Sequence, residues 1–183
     1  MRTGSETTCL IVIRGNSGSG KSSLAAALRI ANDRPTAILG QDVLRRQILH
    51  VAERQGNAAI GYLDLSARYA LDLGMDVVIE GILYADIYGD MLAQLAADHR
   101  GPSLFYRYEM GFEETLRRHN TKLCSHEFGE PEMRSWWRGR DPLPHVAETA
   151  LGEDVELGEA VARVLADTRS RPTPELPQAP PSH

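Results

Sequence analysis

Residues 15–23, "GNSGSGKSS", constrain what this chain can fold into more tightly than any other stretch. Gly15, Gly20, Lys21 and Ser22 satisfy G-x-x-x-x-G-K-[ST], with Asn16, Ser17, Gly18 and Ser19 at the free positions. An apolar run, "CLIVI" at 9–13, precedes the motif, and the Ala- and Leu-rich "SLAAALRI" follows it, which is the strand–loop–helix setting such a loop needs. Glycines let successive backbone N–H groups curl around phosphate oxygens, and the helix that follows aims the positive end of its dipole at them. Lys21 is then placed for the β- and γ-phosphates of a nucleoside triphosphate, with ATP as the expected donor, and the Ser22 hydroxyl is placed for Mg²⁺. All of residues 15–23, Ser23 included, are candidates for holding the nucleotide.

Short apolar runs alternate with longer amphipathic segments from Cys9 to about Asp167, the pattern of β-α-β units around a parallel sheet. Strands are predicted at 9–13, 36–39, 76–80, 103–108 and 147–151, and helices at 21–32, 42–55, 58–73, 85–99, 112–122, 131–138 and 157–168. In segment 58–73, Ile60, Leu63, Ala67, Ala70 and Leu71 recur at three- and four-residue spacing as one buried stripe, and Gly74 closes the helix. The expected fold is a P-loop α/β/α sandwich on a five-stranded parallel sheet. Residues 1–169 form one domain in this reading. The stretch 170–183 holds five of the ten prolines and almost no large apolar residue, which predicts a disordered tail.

Two strand ends supply carboxylates. "DVVIEG" places Glu80 at the end of the third strand, where it can hold a water of the Mg²⁺ shell or orient an acceptor. "ILGQDVLRR" places Gln41 and Asp42 just past the second strand, with Asp42 also a favoured N-cap for a helix from 42. A GTPase switch is not supported, because N-K-x-D is absent and "DIYG" at 86–89 falls inside a predicted helix. Motors and helicases need a larger sheet than this length allows. A small phosphotransferase must still close over its nucleotide, since an open site hydrolyses the triphosphate instead of transferring it. Residues 111–140 are the expected lid, with Arg118 and Arg134 the first candidates to neutralise charge on the transferring group. Trp136 and Trp137 lie where lid and substrate would meet.

The net charge of −5, from 20 Lys plus Arg against 25 Asp plus Glu, disfavours nucleic acid as a partner. No apolar run has membrane-spanning length or the form of a signal peptide, so a cytoplasmic protein is expected. Cys9 and Cys124 are too far apart for a paired metal motif and are read as reduced thiols. His119, His126 and His145 are too scattered for a metal site, leaving Mg²⁺ as the one metal expected.

With these residues together, the chain resembles the small P-loop kinases grouped around chloramphenicol phosphotransferase, the kinase domains of 5′-hydroxyl polynucleotide kinases and zeta-type toxins. The resemblance spans about residues 9–168 and rests on the loop at 15–22, Asp42, the "VVIEG" strand end and the arginine-bearing 111–140. It implies that Asp42 is the general base for a substrate hydroxyl, that the second strand lies close to the phosphate loop, and that 43–73 and 81–90 form the acceptor pocket. Gln41, Asp42, Arg46, Glu80 and Tyr84 are then the leading substrate contacts, with Arg45, Arg54, Arg68, Tyr62, Tyr69 and Tyr88 further candidates. The acceptor is read as a small hydroxyl compound, such as a nucleoside, sugar or antibiotic, and the protein as a monomer or homodimer. The alternative is a nucleotide-binding regulatory or resistance protein with little or no kinase activity.

Overall fold

Strand β1 (Leu10–Arg14) is buried at all five positions, because helices cover both faces of the sheet to which it belongs. Its side chains alternate between two cores: Leu10 and Val12 join one apolar cluster, Ile11 and Ile13 the other. The computed structural model describes residues 1–120 and 129–169; the predicted tail and the middle of the expected lid lie outside the described residues.

Strands β2 (Thr36–Gly40), β3 (Asp76–Gly81), β4 (Ser103–Tyr108) and β5 (Thr149–Leu151) complete a parallel sheet in the order β2-β3-β1-β4-β5. Helices α2 (Ala58–Asp72) and α3 (Ala85–Asp98) cover one face, where Leu63, Ala67, Leu71, Leu92 and Leu95 pack on Val77 and Ile79. Helices α1 (Lys21–Ala31) and α6 (Leu157–Thr168) cover the other, with Leu24, Leu28, Ala160 and Val164 against Val78 and Tyr106. Between β4 and β5 come α4 (Phe112–Asn120) and the short α5 (Glu130–Trp136).

All five predicted strands are present, and the fold is the expected P-loop sandwich. Two details differ. The second strand is an edge strand: β3, not β2, adjoins β1, with Ile13 registered on Glu80 and Gly40 on Glu80 from the other side. The helix expected over 42–55 is a single wide turn, Val43–Ile48, closed by Leu49 N–H donating to the Leu44 carbonyl at 3.0 Å. His50 follows at φ 51°, a left-handed conformation that ends it.

Candidate active site

The loop between β1 and α1 wraps around its own lysine. Lys21 Nζ donates to the Asn16 carbonyl at 2.8 Å and lies 3.4 Å from Ser19 Oγ, so the ammonium is held under the loop. Gly20 caps α1 with no side-chain bond to the first amides, leaving those N–H groups for an anion. Ser22 and Ser23 are exposed on the first turn.

A cavity of about 460 Å³ opens in front of this turn. Ser17, Gly18, Lys21 and Ser22 form one wall, Gln41, Asp42, Arg45, Arg46 and Glu53 the opposite one, and Glu80, Tyr84 and Trp136 lie between and above. The register explains the convergence: β3 runs between β1 and β2, so its terminal Glu80 stands between the loop and Asp42 at the carboxyl edge of the sheet, where parallel sheets bind ligands. Glu80 makes no hydrogen bond or ion pair among the described residues, and its carboxylate faces the cavity uncommitted. Ser22 and Glu80 therefore present a hydroxyl and a free carboxylate to one space, a donor set that suits a hydrated Mg²⁺.

The expected N-cap role of Asp42 is not seen. Its backbone is already helical (φ −69°, ψ −36°) and its side chain accepts no backbone N–H. The carboxylate instead pairs with Arg45 at 2.8 Å and Arg46 at 3.2 Å, because the turn that replaces the long helix brings both guanidinium groups alongside it. The Asp42 side chain remains 59% exposed, on the cavity side.

Behind it lies a buried polar cluster. Gln41, only 2% exposed, donates from Nε2 to Glu53 Oε2 at 2.7 Å and to the Tyr88 hydroxyl at 3.0 Å, while Tyr88 donates to Glu53 Oε1 at 2.9 Å. Arg45 Nε closes the set 3.1 Å from Glu53 Oε2. Burial is the largest influence on Tyr88 and pushes its hydroxyl up to about 12, so it stays a donor. Gly81 permits the close fit, since a Cβ there would stand 2.7 Å from Gln41 Cβ.

Arg14, at the end of β1, is 1% exposed. It donates to the Leu83 carbonyl, to both the carbonyl and carboxylate of Asp141, and to Glu148. Asp141 also accepts the Ala85 N–H at 2.9 Å, and Arg107 joins through Glu148 and Glu109. The segment after α5 is thus tied beneath the phosphate loop, and Asn16 fastens it from above by accepting the Arg138 N–H at 3.0 Å and donating to the Arg138 carbonyl at 2.7 Å. Arg138 stacks over Tyr84, whose hydroxyl donates to the Trp136 carbonyl.

Of the two lid arginines predicted, Arg118 touches the loop, with Nη1 3.5 Å from the Ser19 carbonyl and Nη2 donating to the Glu153 carbonyl at 2.6 Å. Hydrogen bonds from Arg117 first and then Arg118 hold Glu114 down at about 2. Arg134 sits away from the cavity, paired with Glu130 at 2.7 Å and stacked over Phe112. Trp136 lines the cavity, whereas Trp137 packs edge-on against Phe112. Among the further acceptor candidates, Arg45 lines the cavity and Tyr88 supports it from the core, while Arg68 pairs with Asp64 and Asp98 and Tyr62 and Tyr69 face outward on α2. Arg54 is exposed and not part of the lining. Sequence reading missed Glu53, hidden by the assumed helix, and Arg14, although a guanidinium in the otherwise apolar "LIVIR" signalled a buried network.

No protein-family model matches the sequence, and no curated protein matches it. Among solved structures, a gluconokinase from Sinorhizobium meliloti superposes with a TM-score of 0.63 at 21% identity, covering 91% of this chain and 94% of that one. An APS kinase from Mycobacterium tuberculosis, in complex with AMPPNP and APS, gives 0.66 at 18%, covering 93% and 99%. A sugar kinase from a Janibacter species gives 0.61 at 16%, covering 87% and 93%. The chain therefore has the fold of small P-loop kinases. The particular group around chloramphenicol phosphotransferase is not singled out among these neighbours. No helix among the described residues is long and apolar enough to cross a membrane.

Proposed function

We propose that this chain is an ATP-dependent O-phosphotransferase that moves the γ-phosphoryl group to a hydroxyl of a small molecule. The observation that carries the reading is the single cavity shared by Lys21 and Ser22 of the phosphate loop, Glu80 and Asp42. The acceptor oxygen attacks the γ-phosphorus, the bond to the β–γ bridging oxygen breaks, and the hydroxyl proton passes to Asp42. Lys21 and the amides at the start of α1 hold the phosphates, and Ser22 with Glu80 would hold Mg²⁺, which supplies charge neutralisation when bound. Arg45, fixed by Glu53, aims the Asp42 carboxylate into the cavity. Arg118 is the arginine of the expected lid, 111–140, best placed to move onto the transferring group. Tyr84 and Trp136 give the acceptor an aromatic ceiling, Arg46 faces it from the side, and Gln41 backs that wall through its bonds to Glu53 and Tyr88.

The test is Asp42→Asn with a panel of hydroxylated nucleosides, sugars and antibiotics, read by ADP release and by mass of the acceptor. The variant should bind an ATP analogue as the parent does and lose phosphotransfer by about 10²–10⁴-fold, the range of general-base catalysis. Absence of any phosphorylated acceptor with the parent protein, at unchanged ATP binding, would favour a nucleotide-binding regulator instead.

A further inference from the structure

A second cavity, of about 490 Å³, adjoins the one in front of the phosphate loop. Asp42, Arg45 and Arg46 line both, and Gln47, His50 and Val51 extend the second. The two differ in charge. Around the first, Lys21, Arg45 and Arg46 are matched by Asp42, Glu53 and Glu80. Around the second, two guanidinium groups meet one carboxylate, in a chain whose net charge is −5. The positive surplus is therefore local, and it stands beside the candidate base.

Most donors of this cavity are not spent within the chain. Arg45 is the exception: Nη2 bonds Asp42 at 2.8 Å, Nη1 donates to the Val51 carbonyl at 3.1 Å, and Nε lies 3.1 Å from Glu53. Arg46 gives one bond, from Nη1 to Asp42 Oδ2 at 3.2 Å, and its Nε and Nη2 make none among the described residues. The Gln47 amide and the His50 ring, both exposed, make none there either. Their backbone is held in place. The Val51 N–H donates to the Arg45 carbonyl at 3.0 Å, and with the side-chain bond in the other direction this closes residues 45–51 into a loop. Within it His50 takes a left-handed backbone, φ 51°, which a residue with a side chain adopts only at a cost and which recurs at ligand sites.

We infer that the acceptor is a hydroxylated acid, whose carboxylate or phosphate ester group is held in the second cavity by Arg46, Gln47 and His50 while its hydroxyl meets Asp42 in the first. This rests on the phosphotransfer proposed for the first cavity and adds to it the class of substrate. The Nε and Nη2 edge of a guanidinium presents two parallel donors to two oxygens of one oxyanion, and that edge of Arg46 is the open one. The same guanidinium touches Asp42 through Nη1, so hydroxyl and anion lie about its own width apart, within the span of one small molecule. The nucleotide does not compete for this place, because the phosphate loop forms the opposite wall of the first cavity. A neutral acceptor would leave the open edge of Arg46 without a partner and gain nothing from the second cavity.

Matched hydroxy acids, sugar phosphates and their neutral counterparts test this, among them glycerate against glycerol and ribose 5-phosphate against ribose. Each is titrated calorimetrically into the full chain loaded with a non-hydrolysable ATP analogue and Mg²⁺. The acidic member of at least one pair should bind about tenfold tighter or more than the neutral one, and the two arms tell a carboxylate site from a phosphate site. Arg46→Gln should bring that pair to within about twofold, while affinities for the neutral member and the ATP analogue, and the melting temperature, stay at the parent's values. Arg46→Lys should keep an intermediate preference, since the charge remains and the fork does not. Acids that bind no better than their neutral counterparts overturn the inference. So does a preference that Arg46→Gln and His50→Asn both leave intact. Mass spectrometry of the same compounds incubated with ATP reads the reaction separately: selective binding of an acid with no phosphorylated product supports this subsite and tells against phosphotransfer.

Discussion

Arg14 places all five guanidinium donors inside the protein, on two carbonyls and two carboxylates, with no contact left for water. A charge this deeply buried is tolerated because both its partners and its geometry are complete. Its contacts also hold Leu83, a non-glycine residue at φ 49°, and thereby the turn that leads from Glu80 to Tyr84. Arg14→Met removes the charge at similar volume and leaves Glu148 and Asp141 short of a partner, so it should lower unfolding free energy by about 3–5 kcal/mol. Arg14→Lys should recover only part of that loss, since three rotatable donors cannot fill a planar five-donor site. Urea denaturation measures both, and a loss below about 1 kcal/mol for Met would show that Arg107 alone sustains the cluster.

At the scale of elements, the contact that decides the site is α4 against the phosphate loop. Gly18 has φ 83°, and a Cβ there would stand 2.3 Å from the Thr115 carbonyl oxygen of α4. Gly56, at φ 69°, has nothing within 4 Å. Gly18→Ala must therefore both strain the backbone and push α4 off the loop, whereas Gly56→Ala meets backbone strain alone, worth about 1–2 kcal/mol. Gly18→Ala should weaken binding of an ATP analogue at least tenfold by calorimetry, and Gly56→Ala should leave it unchanged. Equal affinities for the two would mean that α4 does not shape the loop. Such contacts also mark where sequence reading reached its limit. The strands were legible because residues covered on both faces form unbroken apolar runs such as "LIVI" and "DVVI". The stretch 42–55 also has helical apolar spacing, but Glu53 is drawn inward to Gln41, Tyr88 and Arg45, and tertiary bonding overrides the local preference. Asp42 was legible as a residue of the sheet's carboxyl edge, where it lines the cavity, and misread as a cap for the same reason: its partners, Arg45 and Arg46, follow only from the shape of that turn. The positions of β2 and β3 in the sheet could not be read from spacing at all, since chain order does not fix strand order.

For the molecule as a whole, the response to acid is set at the end of the sheet opposite the cavity. There the segment Thr3–Thr8 is fastened to the end of α3 and the start of β4 by backbone bonds of Thr3 with Asp98 and Arg100, by the Arg100 guanidinium on the Gly4 carbonyl, and by the ring of His99. That residue is 7% exposed, and its ring lies 3.0 Å from Thr8 Oγ1 and 3.1 Å from Ser103 Oγ. Burial, the largest influence, lowers its pKa from 6.5 to about 4, against an opposing pull from Asp76. The folded protein thus resists a proton that the unfolded chain accepts. Above pH 6.5 both states are neutral at this ring and stability is full; as pH falls from 6.5 toward 4, the unfolded state gains protons first and stability declines. The shift bounds the loss at about 3 kcal/mol. Asp72 and Asp98, held low mainly by the hydrogen bonds from Gly4 and from the N-terminal ammonium, add their own losses only at more acidic pH. Melting temperature should therefore be level from pH 8 to 7 and drop between 6.5 and 4.5. His99→Gln keeps a hydrogen-bonding side chain without the titration and should flatten that drop, even if it melts lower at pH 7. An identical slope in parent and variant would place the acid sensitivity elsewhere. Because His99 stands at the far end of the sheet, affinity for an ATP analogue should not follow the same curve.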